Sequence, residues 1–145
     1  MASLSNHEPG SPGLLVAWRI RVMSRARVLL GKGGEDLAIR ELERRGYAIL
    51  ARRYRRRTGE IDIVARDGRT VVFVEVKARV GRDYGGAAEA VTRLKRRRIV
   101  NLAVEYMMRH HLAGSPCRFD VVSIQLESGR PIIDIFQNAF DATTA

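Results

Sequence analysis

Apolar residues recur along this chain with two different periods, and the places where the period changes mark out its elements. From Gly34 to Arg45 the spacing of Leu37, Ala38 and Leu42 predicts a helix with one buried stripe. Glu35 and Asp36 in its opening turn suit the helix dipole, and Gly46 supplies a stop. Tyr47 to Leu50 then begins a strand that runs into Arg52-Arg53-Tyr54-Arg55-Arg56-Arg57. Glu60 to Ala65 alternates polar with apolar, and Val71 to Arg79 is rich in β-branched residues, so both read as strands. Asp67-Gly68 between them is a strong hairpin signal. A second helix is predicted from Thr92, a plausible N-cap, to about His111, burying Ile99, Leu102, Ala103 and Tyr106. Arg118 to Leu126 and Ile132 to Phe136 close the chain as strands around a Ser128-Gly129-Arg130-Pro131 turn. The order α-β-β-β-α-β-β predicts an α/β sandwich. Its central sheet is mixed and flanked by helices, with a right-handed helical crossover from the third strand to the fourth.

The first hairpin carries the chemistry. If Asp67 and Gly68 are its two loop residues, Arg66 faces Arg69, Asp62 faces Phe73 and Glu60 faces Glu75. Side chains alternate along a strand, so Glu60, Asp62, Glu75, Lys77 and Arg79 then share one side while Ile61, Ile63, Val72, Val74 and Val76 share the other. Asp62 and Glu75 become diagonal neighbours, with backbones roughly 7–8 Å apart, which two carboxylates can span by holding one cation. Three clustered carboxylates repel one another without a cation, and oxygen donors suit a hard ion such as Mg²⁺ or Mn²⁺. Lys77, one pleat further, is placed to hold a phosphate or a metal-activated water. A simple Glu75–Lys77 ion pair at an exposed strand end is the competing reading. Against it, Val71-Val72-Phe73-Val74 runs straight into Glu75 and Lys77, which an exposed pair would not need.

Charge agrees with a polyanionic partner. The 145 residues hold 26 Lys plus Arg against 16 Asp plus Glu, a formal net charge of +10. Arg53, Arg55 and Arg56 in the first strand could grip phosphates while Tyr54 stacks on a base, although charge runs are often only solvated faces. Arg93, Lys95, Arg96, Arg97 and Arg98 crowd the start of the second helix against its dipole, so a bound phosphate is one candidate for the missing negative charge. Gly81-Arg82-Asp83-Tyr84-Gly85-Gly86 is a loop beside the site, able to close over a backbone or merely to turn. Neither it nor Gly31-Lys32-Gly33-Gly34 fits a nucleotide-binding fingerprint. Adjacent His110 and His111 point about 100° apart and are expected at the surface rather than as a metal pair. Asp120 is expected as a cap or the ion-pair partner of a nearby Arg.

Taken together, Gly59-Glu60-Ile61-Asp62, Val72-Phe73-Val74-Glu75-Val76-Lys77-Ala78-Arg79, Glu89-Ala90-Val91-Thr92 with Lys95, and Arg118-Phe119-Asp120-Val121-Val122 resemble the YraN-like family of small bacterial proteins. The resemblance spans roughly Gly31 to Phe140. It implies a restriction-endonuclease-like (PD-D/E-x-K) fold, similar to archaeal Holliday-junction resolvases. It further implies Asp62 and Glu75 as metal ligands, Val76 as the residue lending a backbone carbonyl to the metal, and Lys77 as the catalytic lysine. Glu35 corresponds to the acidic residue of the first helix, and Lys95 to a polar position facing the site. Ile61 stands where the superfamily's proline would precede Asp62. The expected activity is Mg²⁺- or Mn²⁺-dependent hydrolysis of DNA phosphodiester bonds, with branched or recombination structures as candidate substrates. Catalysis would rest on Asp62, Glu75, Lys77 and Glu35, and the metal on Asp62, Glu75, Val76 and Glu60. Arg53, Arg55, Arg56, Arg79, Lys95 and Arg96 would contact nucleic acid. The alternative is a nucleic-acid-binding module that keeps the fold but cleaves little or not at all.

The domain is expected to occupy residues 31–140, between an extension over residues 1–30 and a short tail over 141–145. Within the extension, Pro9, Gly10 and Pro12 read as a disordered tail, and Leu14 to Leu30, with Arg19, Arg21, Arg25 and Arg27, as a basic amphipathic helix. The resembling family begins shortly before Gly34-Glu35, so Met23 is an alternative start. No stretch is apolar enough to span a bilayer, no signal peptide is evident, and the lone Cys117, read as a small apolar residue, cannot form an internal disulfide. A cytoplasmic protein without a membrane partner is expected, and assembly as a homodimer is an option.

Overall fold

The structure is a computed structural model that describes residues 32–80 and 91–143. The expected extension over residues 1–30 and the loop from Gly81 to Gly86 lie outside the described residues. Helix α1 spans Lys32–Arg44, followed by β1 (Ala48–Arg56), β2 (Gly59–Asp67) and β3 (Thr70–Val80). Helix α2 (Arg93–Arg109) leads to β4 (Cys117–Glu127) and β5 (Arg130–Phe140). The five strands form one sheet in sequence order, with β3 and β4 parallel and every other neighbouring pair antiparallel. This is the mixed α/β layout the patterning predicts.

Each helix covers one face of the sheet. Ala38 and Leu42 of α1 are fully buried against Ile63, Ala65, Val72, Val74, Val122 and Ile124. On the opposite face Ile99, Leu102, Ala103, Tyr106 and Met107 of α2 pack on Ile61, Val64, Val71, Phe73, Phe119 and Val121. That second core is aromatic. Phe73 meets Tyr106 edge-on at 5.8 Å and stacks on Phe119 at 5.7 Å, and Phe119 stacks on Phe140 at 5.1 Å. β3 is thus buried on both faces, which is why its sequence is a continuous apolar run rather than an alternation. α1 ends as expected at Gly46, whose φ of +90° lets the Tyr47 N–H reach back to the Leu42 carbonyl at 3.0 Å. Thr92 caps α2 by accepting from the Lys95 N–H at 3.2 Å.

The hairpin register differs from the expected one. Asp67 pairs with Thr70, and Ile63 with Val74, so the loop residues are Gly68 and Arg69 rather than Asp67 and Gly68. Gly68, at φ +59°, takes the first loop position, where a primed hairpin turn calls for glycine. The slip is two residues in the pairing, so it keeps side-chain parity and leaves Asp62 and Glu75 within reach of each other.

A second difference concerns Ile61, expected on the same side as Ile63. Ile61 lies in the α2-side core and Ile63 in the α1-side core. β1 changes sides at the same point, since Ala51 and Tyr54, three residues apart, both pack on the α2 side. Between the pairs Arg52–Ile63 and Tyr54–Ile61 sit Arg53 and Asp62, and Arg53 has φ +50°. One residue of left-handed backbone resets the alternation of both strands there. Beyond Ile63–Val74 the regular β2–β3 pairing stops, and Asp62 occupies the place where the strands part. Tyr54, expected as a stacking platform for a base, is instead turned inward, edge-on to Tyr106 at 5.1 Å with its hydroxyl buried and unpaired.

At the other end of the sheet, fully buried Asp120 accepts from Arg118 Nε at 2.8 Å and from the Asn138 N–H at 2.9 Å. Arg118 also reaches Asp67 and the Tyr47 hydroxyl, both at 3.0 Å. The expected ion-pair role of Asp120 is therefore met, as part of a network tying β2, β4 and β5 together. His110 and His111 are exposed, as expected, and so is Cys117 at the start of β4.

Candidate metal centre

Where β2 and β3 part, the backbone N–H of Val76 is free to leave the ladder, and it donates to Asp62 Oδ2 at 2.8 Å. This bond aims the Asp62 carboxylate into the gap between the strands. Glu60, two residues earlier on β2, and Glu35, in the first turn of α1, approach the same point. One carboxylate oxygen from each of Glu35, Glu60 and Asp62 lies within 4.8 Å of the others. Three acidic groups at that spacing form an all-oxygen donor set, the chemistry a hard divalent ion takes.

Glu75 sits deeper, with only 3% of its side chain exposed. It is not part of the group formed by the other three. Its Oε1 is held by the ammonium of Lys95 from the first turn of α2, with the Lys77 ammonium 3.8 Å from the same atom. Burial pushes the Asp62 carboxyl up to about 7, and the nearby Glu75 charge pushes the same way, against the opposing effect of the Val76 N–H. Partial burial works against the Lys95 charge, but the bond to Glu75 and the charges of Glu75 and Asp62 together raise that group. The Asp62–Glu75 pair is short of positive charge, and Lys95 supplies part of it.

The remaining acids of the centre are also partnered. Arg53 Nε donates to Glu35 at 2.6 Å and Arg55 Nε to Glu60 at 2.6 Å. Next to them Arg52 pairs with Asp36, and Arg56 with Glu105 of α2 at 2.6 Å. Four arginines of the β1 run thus meet carboxylates of this chain. Of the other candidates for nucleic-acid contact, Arg96 donates to the Val91 carbonyl at 3.0 Å and lies over the Phe140 ring, and Arg79 is half-buried on β3. Val76 is placed by its N–H, which holds Asp62.

The structure therefore brings Asp62, Glu35 and Glu60 together and sets Glu75, Lys77 and Lys95 beside them. Patterning did not reveal Glu105 and Asp36 as arginine partners, nor the Lys95–Glu75 contact. Two signals pointed toward the latter: the family resemblance sets Lys95 at a polar position facing the site, and the cationic start of α2 called for a compensating negative charge, part of which Glu75 supplies.

Comparison with known proteins agrees in naming no chemistry. A family model described as "Uncharacterised protein family UPF0102" matches residues 34–124. A UPF0102 protein of Symbiobacterium thermophilum is 48% identical over 114 residues, covering 78% of this chain and 97% of its own. One from Geobacter metallireducens is 47% identical over 112 residues, covering 77% and 92%. One from Pseudomonas aeruginosa is 44% identical over 116 residues, covering 77% and 92%.

Proposed function

We propose, from the premise that this chain belongs to the uncharacterised protein family UPF0102, the YraN-like group its motifs resemble, that it is a divalent-cation-dependent nuclease acting on DNA. The observation that carries this reading is the meeting of Glu35, Glu60 and Asp62 within 4.8 Å beside a buried Glu75 and a half-buried Lys77. Acidic groups held so close in a chain with a net charge of +10 require a reason, and a bound cation that in turn binds phosphate provides one. Asp62 and Glu75 would hold Mg²⁺ or Mn²⁺, with Val76 lending its carbonyl as the resemblance implies, and Glu35 or Glu60 would assist a second ion. When bound, the ion supplies Lewis acidity toward the scissile phosphate and lowers the pKa of an attacking water. Lys77 stabilises that water or a non-bridging phosphate oxygen, its ammonium kept in place by Glu75. The Val76 N–H fixes the Asp62 carboxylate so that it does not rotate away during the reaction.

A second reading is favoured by one feature, the protein's own cations already resting on Glu35, Glu60 and Glu75. A chain that neutralises its acids internally could bind nucleic acid through its net charge without cleaving it. The two readings separate on a panel of linear, flapped and four-way DNA substrates in Mn²⁺. Cleavage by the wild type that disappears in Asp62→Ala supports the nuclease. Undiminished cleavage by Asp62→Ala rules out this site, and binding without cleavage on every substrate selects the second reading.

A further inference from the structure

Each glutamate of the acidic centre carries its own basic partner. Arg53 is on Glu35, Arg55 on Glu60 and Lys95 on Glu75, while Asp62 is held by a backbone N–H. The three partners come from two elements, β1 and the first turn of α2, that flank the gap where β2 and β3 part. All three are long and flexible, with side chains 29%, 67% and 42% exposed, so each can swing to solvent without unpacking a core. The sequence placed these same three residues among the phosphate contacts, and the structure places them on carboxylates. The two assignments are compatible if the pairs exchange.

Resting on the nuclease reading above, we infer that Arg53, Arg55 and Lys95 are exchangeable counter-ions, held on Glu35, Glu60 and Glu75 until a divalent cation takes those carboxylates, and then released to the nucleic-acid backbone. Cation and backbone therefore bind with positive coupling, because each relieves the other's competitor. The released side chains lie beside the carboxylates, so they grip the phosphates flanking the scissile one. Arg52 and Arg56, whose partners Asp36 and Glu105 lie outside the acidic centre, stay paired and do not take part.

Phosphate contacts are counted by salt dependence, since each one on a duplex adds about 0.9 to the slope of log affinity against log salt. The experiment measures binding of a fluorescein-labelled DNA duplex to the full chain by anisotropy, across a salt series, in EDTA and in Ca²⁺, an oxygen-seeking ion expected to bind without supporting cleavage. Wild type is expected to show a slope steeper by about 2–3 in Ca²⁺. The increment is lost in Arg53→Gln/Arg55→Gln/Lys95→Gln and largely returns in Arg53→Lys/Arg55→Lys, which keeps the charges. Calorimetric Ca²⁺ affinity should rise in the triple glutamine variant, because the competitors of the ion are gone, and a misfolded protein would do the opposite. Ca²⁺ binding with equal slopes in Ca²⁺ and EDTA, or an increment that survives the triple substitution, overturns the exchange and leaves the nuclease reading to the cleavage panel. Absence of Ca²⁺ binding to the wild type overturns the cation site itself.

Discussion

Replacing Asp62 by Asn should stabilise the metal-free protein at pH 8 and leave it nearly unchanged at pH 4. Burial, aided by the Glu75 charge, lifts the Asp62 carboxyl from 3.8 to about 7. The folded state thus binds this proton more tightly than the unfolded state does, so its contribution to stability is present at low pH and is lost as pH rises from about 4 to about 7. Above that both states are ionised and the loss is complete. At ~1.4 kcal/mol per pH unit the full rise corresponds to on the order of 4 kcal/mol, and partial solvent access at Asp62 brings this nearer 2. Asn keeps an oxygen for the Val76 N–H, so the variant retains the bond and loses only the titration. Thermal and urea unfolding, followed by circular dichroism between pH 4 and 8 in EDTA, should show a gap that opens with pH and reaches roughly 5–10 °C in Tm. Mg²⁺ at pH 8 should close it by stabilising the wild type and not the variant. A gap that stays constant across the range, or a variant less stable at pH 8, would refute the argument that Asp62 is held short of positive charge.

Two further substitutions test the frame around the site. Asp120→Ala removes a fully buried carboxylate, orphans the Asn138 N–H and leaves Arg118 only Asp67 and the Tyr47 hydroxyl, so it should cost about 3 kcal/mol in urea unfolding. Gly68→Ala should cost about 1 kcal/mol, all of it conformational, because a Cβ there meets nothing within 4 Å while φ is +59°; a neutral result would mean that the turn relaxes into another type.

How much of this was legible in the sequence follows from the range of each interaction. Helix stripes and strand runs are local, so Ala38 with Leu42, and Ile99 with Leu102 and Tyr106, announced their faces through spacing alone. The hairpin was half legible. Asp67-Gly68 located the turn, but whether glycine stands first or second in the loop depends on backbone twist, and the pairing came out shifted by two. Parity survived that shift as far as Ile63–Val74, and beyond it Asp62 is kept beside Glu75 by its bond to the Val76 N–H rather than by the ladder. The side switch at Arg53 and Asp62 was not legible, because nothing in the residue type of Arg53 reports a φ of +50°. Nor were the ion pairs of Arg52, Arg53 and Arg56, which join residues brought together only when α1 and α2 pack on the sheet, whereas Arg55 and Glu60 face each other across the β1–β2 hairpin.

The parallel seam between β3 and β4 has a consequence for the order in which the chain becomes itself. Glu35, Glu60, Asp62 and Glu75 all precede α2 in the sequence, whereas Lys95 lies within the crossover helix and the strand that covers β3 follows it. During synthesis the acidic hairpin therefore emerges with one edge of β3 open and its Val71-Val72-Phe73-Val74 run uncovered, waiting for a distant partner. Non-local pairing of this kind is the slow part of folding, and an open apolar edge is where chains stick to one another. A fragment ending before α2 would hold every acidic residue of the centre and should still aggregate through that open edge rather than form a working site. What makes the acids usable is the arrival of the second half of the chain.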